Sequence, residues 1–194
     1  MDKSLAYAIF READLSEQEV NEVSNHLTKV NCKKGELVIQ QGELVSCKYY
    51  IHSGCLRSFF IDEQGKEHTL QFAIKGWWIS DYPGYFQSKP AIMNIECIQD
   101  SILIKMTKTS RDHLFSNFPK LESFFRLKFE NTIASFQKRT IASLSYTAKE
   151  KYIQFVNTYA EIEQNVKNYH IASYLGITKE SLSRIRRDIA QKDA

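Results

Sequence analysis

The sequence predicts an α+β chain: a β-rich first half, one long helix, and a short helical unit at the end. Three observations carry that prediction. From Asn31 to about Met106, short runs rich in β-branched and aromatic residues alternate with turn signals. From Pro119 to Ser145, apolar residues advance by three or four without interruption. From Val166 to Ile189, VKNYHIASYLGITKESLSRIRRDI places apolar, small and glycine residues where two short crossing helices need them. The divisions expected are 1–118, 119–145 and 146–194.

Residues 4–28 read as helical. Ser16-Glu17-Gln18-Glu19 has capping-box spacing, and Val20, Val23 and Leu27 follow at helical intervals. The strands expected next are Leu37–Gln40, Lys48–His52, Leu56–Ile61, His68–Ile74, Ile92–Ile98 and Ser101–Met106. Gly35, Gly42, Gly54, Asp62-Glu63-Gln64-Gly65 and Pro83-Gly84 break them. Many short strands without intervening helices predict a sandwich or small barrel and argue against a doubly wound sheet.

In the long helix, Leu121, Phe125, Phe129, Ile133 and Phe136 form a seam, continued by Thr140 and Leu144. It can pack on the β-rich half or on a second copy of the chain, and different faces can do both. Thr147-Ala148-Lys149-Glu150 marks a new helix start, which puts a hinge near Leu144–Tyr146.

In the last unit, Ile171, Leu175, Leu182 and Ile185 fall at the packing positions of two crossing helices, and Ala172 falls where they approach closest. Gly176 supplies the left-handed residue that ends the first helix. Thr178 caps the second. At about 100° per residue, Leu182, Ile185 and Ile189 share an arc of about 60°, while Lys179, Glu180, Ser183, Arg184 and Arg187 share about 140° on the other side. One side packs and the other offers donors and acceptors. Arginine can fork onto guanine, and a carboxylate can accept from cytosine N4. An ordinary amphipathic pair with a solvated charged face would have the charges too, but not the agreement of glycine, small and apolar positions.

Charge supports the same end of the chain. The net charge is only +3, yet residues 165–194 hold six cations (Lys167, Lys179, Arg184, Arg186, Arg187, Lys192) against three anions (Glu180, Asp188, Asp193). A local cationic face is what phosphate contact requires. No run of about 18 apolar residues occurs, so no membrane span is expected. The N-terminus lacks a signal-peptide pattern, and Cys32, Cys47, Cys55 and Cys97 suit free thiols. A cytoplasmic location is the expectation.

The final window resembles the helix-turn-helix of the family that includes the cyclic-AMP receptor protein and the fumarate-nitrate regulator (Crp/Fnr). Glu180-x-x-Ser183-Arg184 looks like the base-reading trio of the fumarate-nitrate branch. Upstream, KKGELVIQQGELVSCKYYIHSGCLRSFF resembles the opening of the cyclic-nucleotide-binding jelly roll, with Gly35, Gly42-Glu43, Tyr50-Ile51 and Gly54 at its turn and strand positions. The resemblance implies an N-terminal jelly roll (a double-stranded β-helix), a dimerisation helix and a C-terminal helix-turn-helix whose wing is reduced or absent. It implies a homodimeric transcription regulator binding double-stranded DNA, with RNA polymerase as a further partner. Glu180, Ser183 and Arg184 would read bases. Lys179 and Arg187 would serve bases or phosphates, and Lys167, Thr178 and Arg186 phosphates.

The resemblance fails at the nucleotide cassette. Nucleotide-binding members use a Gly-Glu pair for the ribose and a nearby arginine for the cyclic phosphate. Here the stretch is Gly76-Trp77-Trp78-Ile79-Ser80-Asp81, then Pro90-Ala91-Ile92-Met93-Asn94. Trp77 replaces the carboxylate, Ala91 is nearest the arginine, and no arginine lies between Arg57 and Arg111. A desolvated phosphate would lack its strongest partner, so a response to cyclic AMP is not expected. Trp77, Trp78, Tyr82, Tyr85 and Phe86 form either core packing or an effector pocket. The cysteines are too widely spaced for an iron–sulfur cluster. His52, His68 and His113 are isolated, with no HxH pair for a metal-dependent jelly-roll enzyme. No cofactor or catalytic activity is expected. The rival reading is a ligand sensor whose output is a protein contact.

Overall fold

The computed structural model describes residues 3–163 and 166–191. It opens with α1 (Lys3–Ile9), a 3-10 turn at Arg11–Ala13 and α2 (Glu17–Asn25). The Ser16 side chain accepts from the Glu19 N–H, and the Glu19 carboxylate accepts from the Ser16 N–H, closing the capping box.

Eight strands follow: β1 (Thr28–Cys32), β2 (Leu37–Ile39), β3 (Cys47–Ser53), β4 (Cys55–Ile61), β5 (Glu67–Ile74), β6 (Trp78–Ile79), β7 (Asn94–Cys97) and β8 (Ser101–Thr107). They form two four-stranded antiparallel sheets, ordered β1-β8-β3-β6 and β2-β7-β4-β5, the jelly-roll arrangement. Ile51, Leu56, Ile79, Ile95 and Leu103 are fully buried between the sheets. Each such side chain stabilises the roll by about 1.5–3 kcal/mol. Gly54 makes the β3–β4 turn at φ +96°; a Cβ there would meet Ser101 Oγ at 2.2 Å.

Strands β1 and β6 were not expected. β1, TKVNC, is a mostly exposed edge strand without apolar alternation, and β6 has two residues. Pro83-Gly84, expected to break structure, lies inside α3 (Tyr82–Gln87), where Asp81 caps the first turn and proline costs no hydrogen bond. α4 (Lys108–Asn117) also went unread, because only Leu114 is buried along it.

Then come α5 (Pro119–Ser145), α6 (Ala148–Thr158), α7 (Ala160–Glu163), α8 (Asn168–Leu175) and α9 (Lys179–Ala190). The long helix has the expected limits, and the chain turns extended at Tyr146 before the Thr147–Glu150 capping box opens α6. Among the described residues no strand follows Thr107, and no helix is long and apolar enough to cross a membrane.

The seam on α5 divides. Leu121 and Phe125 are buried in this chain's own core with Ile9, Phe10, Val23 and Leu114. They are therefore not the dimer contacts expected. Phe129 is partly buried against Tyr82 and Phe86. Ile133 and Phe136 remain 58% and 50% exposed, and Ile141 and Leu144 are more exposed still.

The last four helices do not stand apart from the roll. Tyr152, Phe155, Tyr159, Ile171, Ala172 and Leu175 share one core with Cys55, Phe72 and Ile98. Ser173 Oγ accepts from the Thr69 N–H at 2.9 Å and donates to the Glu67 carbonyl at 3.0 Å; Tyr159 donates to the Phe72 carbonyl at 3.1 Å. The sheet edge at β5 thus positions α8.

Candidate nucleic-acid interface

α8 and α9 meet as their sequence requires. Gly176 ends α8 in the left-handed region at φ +70°, and the Ile177 N–H donates to the Ala172 carbonyl at 3.0 Å. Thr178 caps α9 by accepting from the Ser181 N–H at 3.2 Å. Ile171, Ala172, Leu175, Leu182 and Ile185 are buried. With that side fixed, the opposite side of α9 is turned to solvent: Lys179, Glu180, Ser183, Arg184 and Arg187 are all exposed. Among the described residues, none of Lys179, Arg184 and Arg187 pairs with a carboxylate. The Glu180 backbone N–H and the Thr178 side chain hold the Glu180 carboxyl below its usual range, so it is an anion at neutral pH.

The expected phosphate contacts separate. Lys167 is exposed just ahead of the first turn of α8, its ammonium 5.5 Å from the Tyr169 ring. Thr178 is exposed and already serves as the cap. Arg186 is different and is not placed as the phosphate contact expected. Its guanidinium donates to Glu163 at 2.5 Å, to Asn168 Oδ1 at 2.7 Å and to Tyr152 Oη at 3.1 Å. It fastens α9 to α6, α7 and the start of α8, so its donors are committed inside the protein. On the helical wheel it lies about 40° from Leu182, on the packing side, and that spacing was the available signal. Lys192 and Asp193 lie outside the described residues.

Of the two readings of the five aromatics, core packing or an effector pocket, their ring contacts support packing. Trp77 packs on Tyr159, and Trp78 on Phe10, Tyr50 and Phe125; Tyr82 and Phe86 meet Phe129, and Tyr85 is fully buried. The space beside Trp78 already has an occupant. The buried Lys48 ammonium lies 4.9 Å from the Trp78 ring and 3.3 Å from the Phe125 ring. Burial holds that amine well below the usual lysine range, while the ring faces offset part of the cost. An open groove of about 460 Å³ lies elsewhere, lined by Glu12, Asp14, Lys120, Ser123, Phe124 and Leu127.

Asp81 is a buried organiser that sequence reasoning passed over. It accepts from the Gly84, Ile92 and Met93 N–H groups at 2.8, 2.8 and 3.0 Å. The backbone amides of the cassette loop are thus turned onto a carboxylate of the chain itself. Arg57 is likewise committed, to Glu67 at 2.7 Å and Glu96 at 2.8 Å. At the junction of roll and helices, His170 is buried with Nδ1 unpartnered; a small cavity of about 30 Å³ there is lined by Lys34, Glu96, Ile98, Val166, Lys167 and His170.

Comparisons with known proteins agree with this architecture. Residues 29–118 match the cyclic nucleotide-binding domain family. The chain is 26% identical over 189 residues to the regulatory protein HlyX of Actinobacillus pleuropneumoniae, covering 88% of this chain and 75% of that protein. In structure it is similar to the c-di-GMP responsive global regulator CLP of Xanthomonas campestris, with a TM-score of 0.73 at 10% identity over 92% of this chain and 93% of that one. A transcriptional regulator assigned to the crp/fnr family from Eubacterium rectale superposes with a TM-score of 0.70 at 16% identity, over 92% and 85% of the two chains. Residues 29–118 thus match a cyclic nucleotide-binding domain, and over most of its length the chain is similar in sequence to HlyX and in fold to regulators of the Crp/Fnr family.

Proposed function

We propose that this chain is a sequence-specific DNA-binding transcription regulator that works as a homodimer on inverted-repeat sites. The observation that carries the reading is the solvent face of α9: two arginines, a lysine, a serine and a carboxylate held out by a packed second side, the three cations without a carboxylate partner among the described residues. In a major groove, Arg184 would fork onto guanine and Glu180 would accept from cytosine on a neighbouring pair. Ser183 lies between them. Lys179 and Arg187 flank the reading face, and Lys167 and Thr178 are placed for phosphates. The family resemblance supports a half-site containing TGA. RNA polymerase is the downstream partner in this reading, and the cytoplasm its location. The roll spans 1–118, the pairing helix 119–145 and the reading unit 146–194.

Dimerisation rests on the far half of α5. Ile133, Phe136, Ile141 and Leu144 fall within an arc of about 140° and are half or more exposed. Two reading helices related by a two-fold axis would then address half-sites about 34 Å apart.

The roll in this reading does not answer to cyclic nucleotides. Asp81 already takes the cassette amides, which removes the donors a phosphate would need and sets a negative charge in its place. The side chains of Lys48, Trp78, Tyr82, Phe125 and Phe129 fill the space between roll and α5.

The test is the salt dependence of binding to promoter fragments. With several phosphate contacts per dimer, affinity should fall steeply, by about one logarithmic unit per unit of log salt for each contact. A slope near zero would favour the rival, an output through a protein contact.

A further inference from the structure

The described residues bring together one group of side chains with the donor set of a metal site, and it lies far in sequence from the DNA-reading face. Glu22 is on α2, and His26 caps that helix four residues later, so the two share a face. α4 runs alongside and presents His113 to them. The His26 and His113 rings stack at 4.5 Å between centroids, with an interplanar angle of 27°. Glu22 Oε1 lies 3.7 Å from His113 Nε2. The three candidate ligand atoms all lie within 4.8 Å of one another. Asn117 donates to the His113 carbonyl at 2.8 Å, and its amide lies beside the ring.

We propose that Glu22, His26 and His113 form a binding site for a divalent transition-metal ion of the zinc class, pinning α2 to α4. Two imidazole nitrogens and one carboxylate oxygen suit Zn²⁺ and its neighbours in the series, and suit Mg²⁺ or Ca²⁺ poorly, because those ions take oxygen. Bonds of about 2.0–2.2 Å around a tetrahedral ion put ligand atoms roughly 3.3–3.6 Å apart. The present separations, 4.8 Å at most, need to close by no more than about 1.5 Å, through side-chain torsions at an accessible surface: Glu22 is exposed, and His113 is nearly half so. Three protein ligands leave one position for water. Stacking alone would hold two neutral imidazoles, but it does not account for a carboxylate set against their nitrogens; an ion satisfies all three groups together. Sequence spacing hid the group because His113 lies 87 residues beyond His26, with no local motif at either.

The test uses the full chain without an affinity tag, stripped with chelator. Zn²⁺ is titrated by calorimetry and Co²⁺ by its visible absorption. One ion per chain is expected, with micromolar affinity or better. His26→Gln and His113→Gln should each weaken binding by more than the roughly 10–100-fold attributed to an outer-shell partner. Glu22→Gln should weaken it and change the Co²⁺ spectrum. His68→Gln, which removes a histidine paired with Asp62 instead, should change nothing. All are surface positions, so circular dichroism should stay unaltered. Absence of saturable binding up to millimolar Zn²⁺, or binding that survives both histidine substitutions, would overturn the proposal.

Discussion

Two arginines on α9, two residues apart, have opposite fates. Arg186 is 29% exposed and bound by Glu163, Asn168 and Tyr152, whereas Arg184 is exposed and, among the described residues, without a carboxylate partner. Composition counts them alike. The difference is their angle to Leu182 and Ile185, which dock the helix on its neighbours. A cationic end of a chain is thus a mixture: some charges hold its helices together, and others are left to solvent, where the proposed reading has them meet DNA. Perturbing each side separately should give distinct signatures.

The largest effect is expected on the packing side, at His170. Burial, with help from the Arg57 and Lys167 charges, pushes its pKa down to about 4, against about 6.5 in an unfolded chain. The folded state therefore holds a neutral imidazole. The unfolded state binds more protons between these values, so stability is complete above about pH 6.5 and falls as the pH drops toward 4. The full loss is about 3 kcal/mol at most. Glu96 and Lys34 line the same small cavity. Urea unfolding at pH 7.5 and 5.0 should show a drop that His170→Leu reduces. An identical drop in the variant would assign the effect elsewhere.

Next comes Arg186→Ala. It leaves the Glu163 carboxylate, 16% exposed, without its cation, and should cost about 2 kcal/mol, below the range for fully buried pairs because both groups touch water. The protein that remains folded should keep its preferred DNA sequence. A changed preference with unchanged stability would return Arg186 to the DNA.

The contrast also marks what could be read in the sequence. The 119–145 helix, both capping boxes and the glycine-ended helix pair were legible, because periodicity and caps are local. The roll was legible in its long strands, which alternate around Ile51, Leu56, Phe72 and Leu103. β1, β6 and α4 were not, since each buries few apolar side chains and takes its conformation from neighbours. The functional groups split the same way. The exposed face of α9 followed from a wheel. The commitment of Arg186 to Glu163, of Lys48 to Trp78 and Phe125, and of Asp81 to the Ile92 and Met93 amides depends on contacts between distant segments. The seam of α5 showed its spacing but not which half meets its own roll.

That seam gives a smaller test in folding terms. Ile133→Glu should alter unfolding stability of the monomer by no more than about 0.5 kcal/mol, as expected for an exposed position, while shifting light scattering from dimer to monomer. A variant that stays dimeric would place the pairing surface away from the far half of α5.

The smallest effect on stability, and the most direct test of the account, belongs to Arg184. Arg184→Ala should unfold within about 0.5 kcal/mol of the parent chain. Bound to a randomised operator library beside Lys167→Ala, it should lose preference at one base pair of each half-site, worth roughly 1–3 kcal/mol. Lys167→Ala should weaken all sequences alike and flatten the salt slope by about one unit. If Arg184→Ala instead weakens every sequence equally and leaves the selected motif unchanged, Arg184 clamps phosphate and the solvent face of α9 is not the reading face.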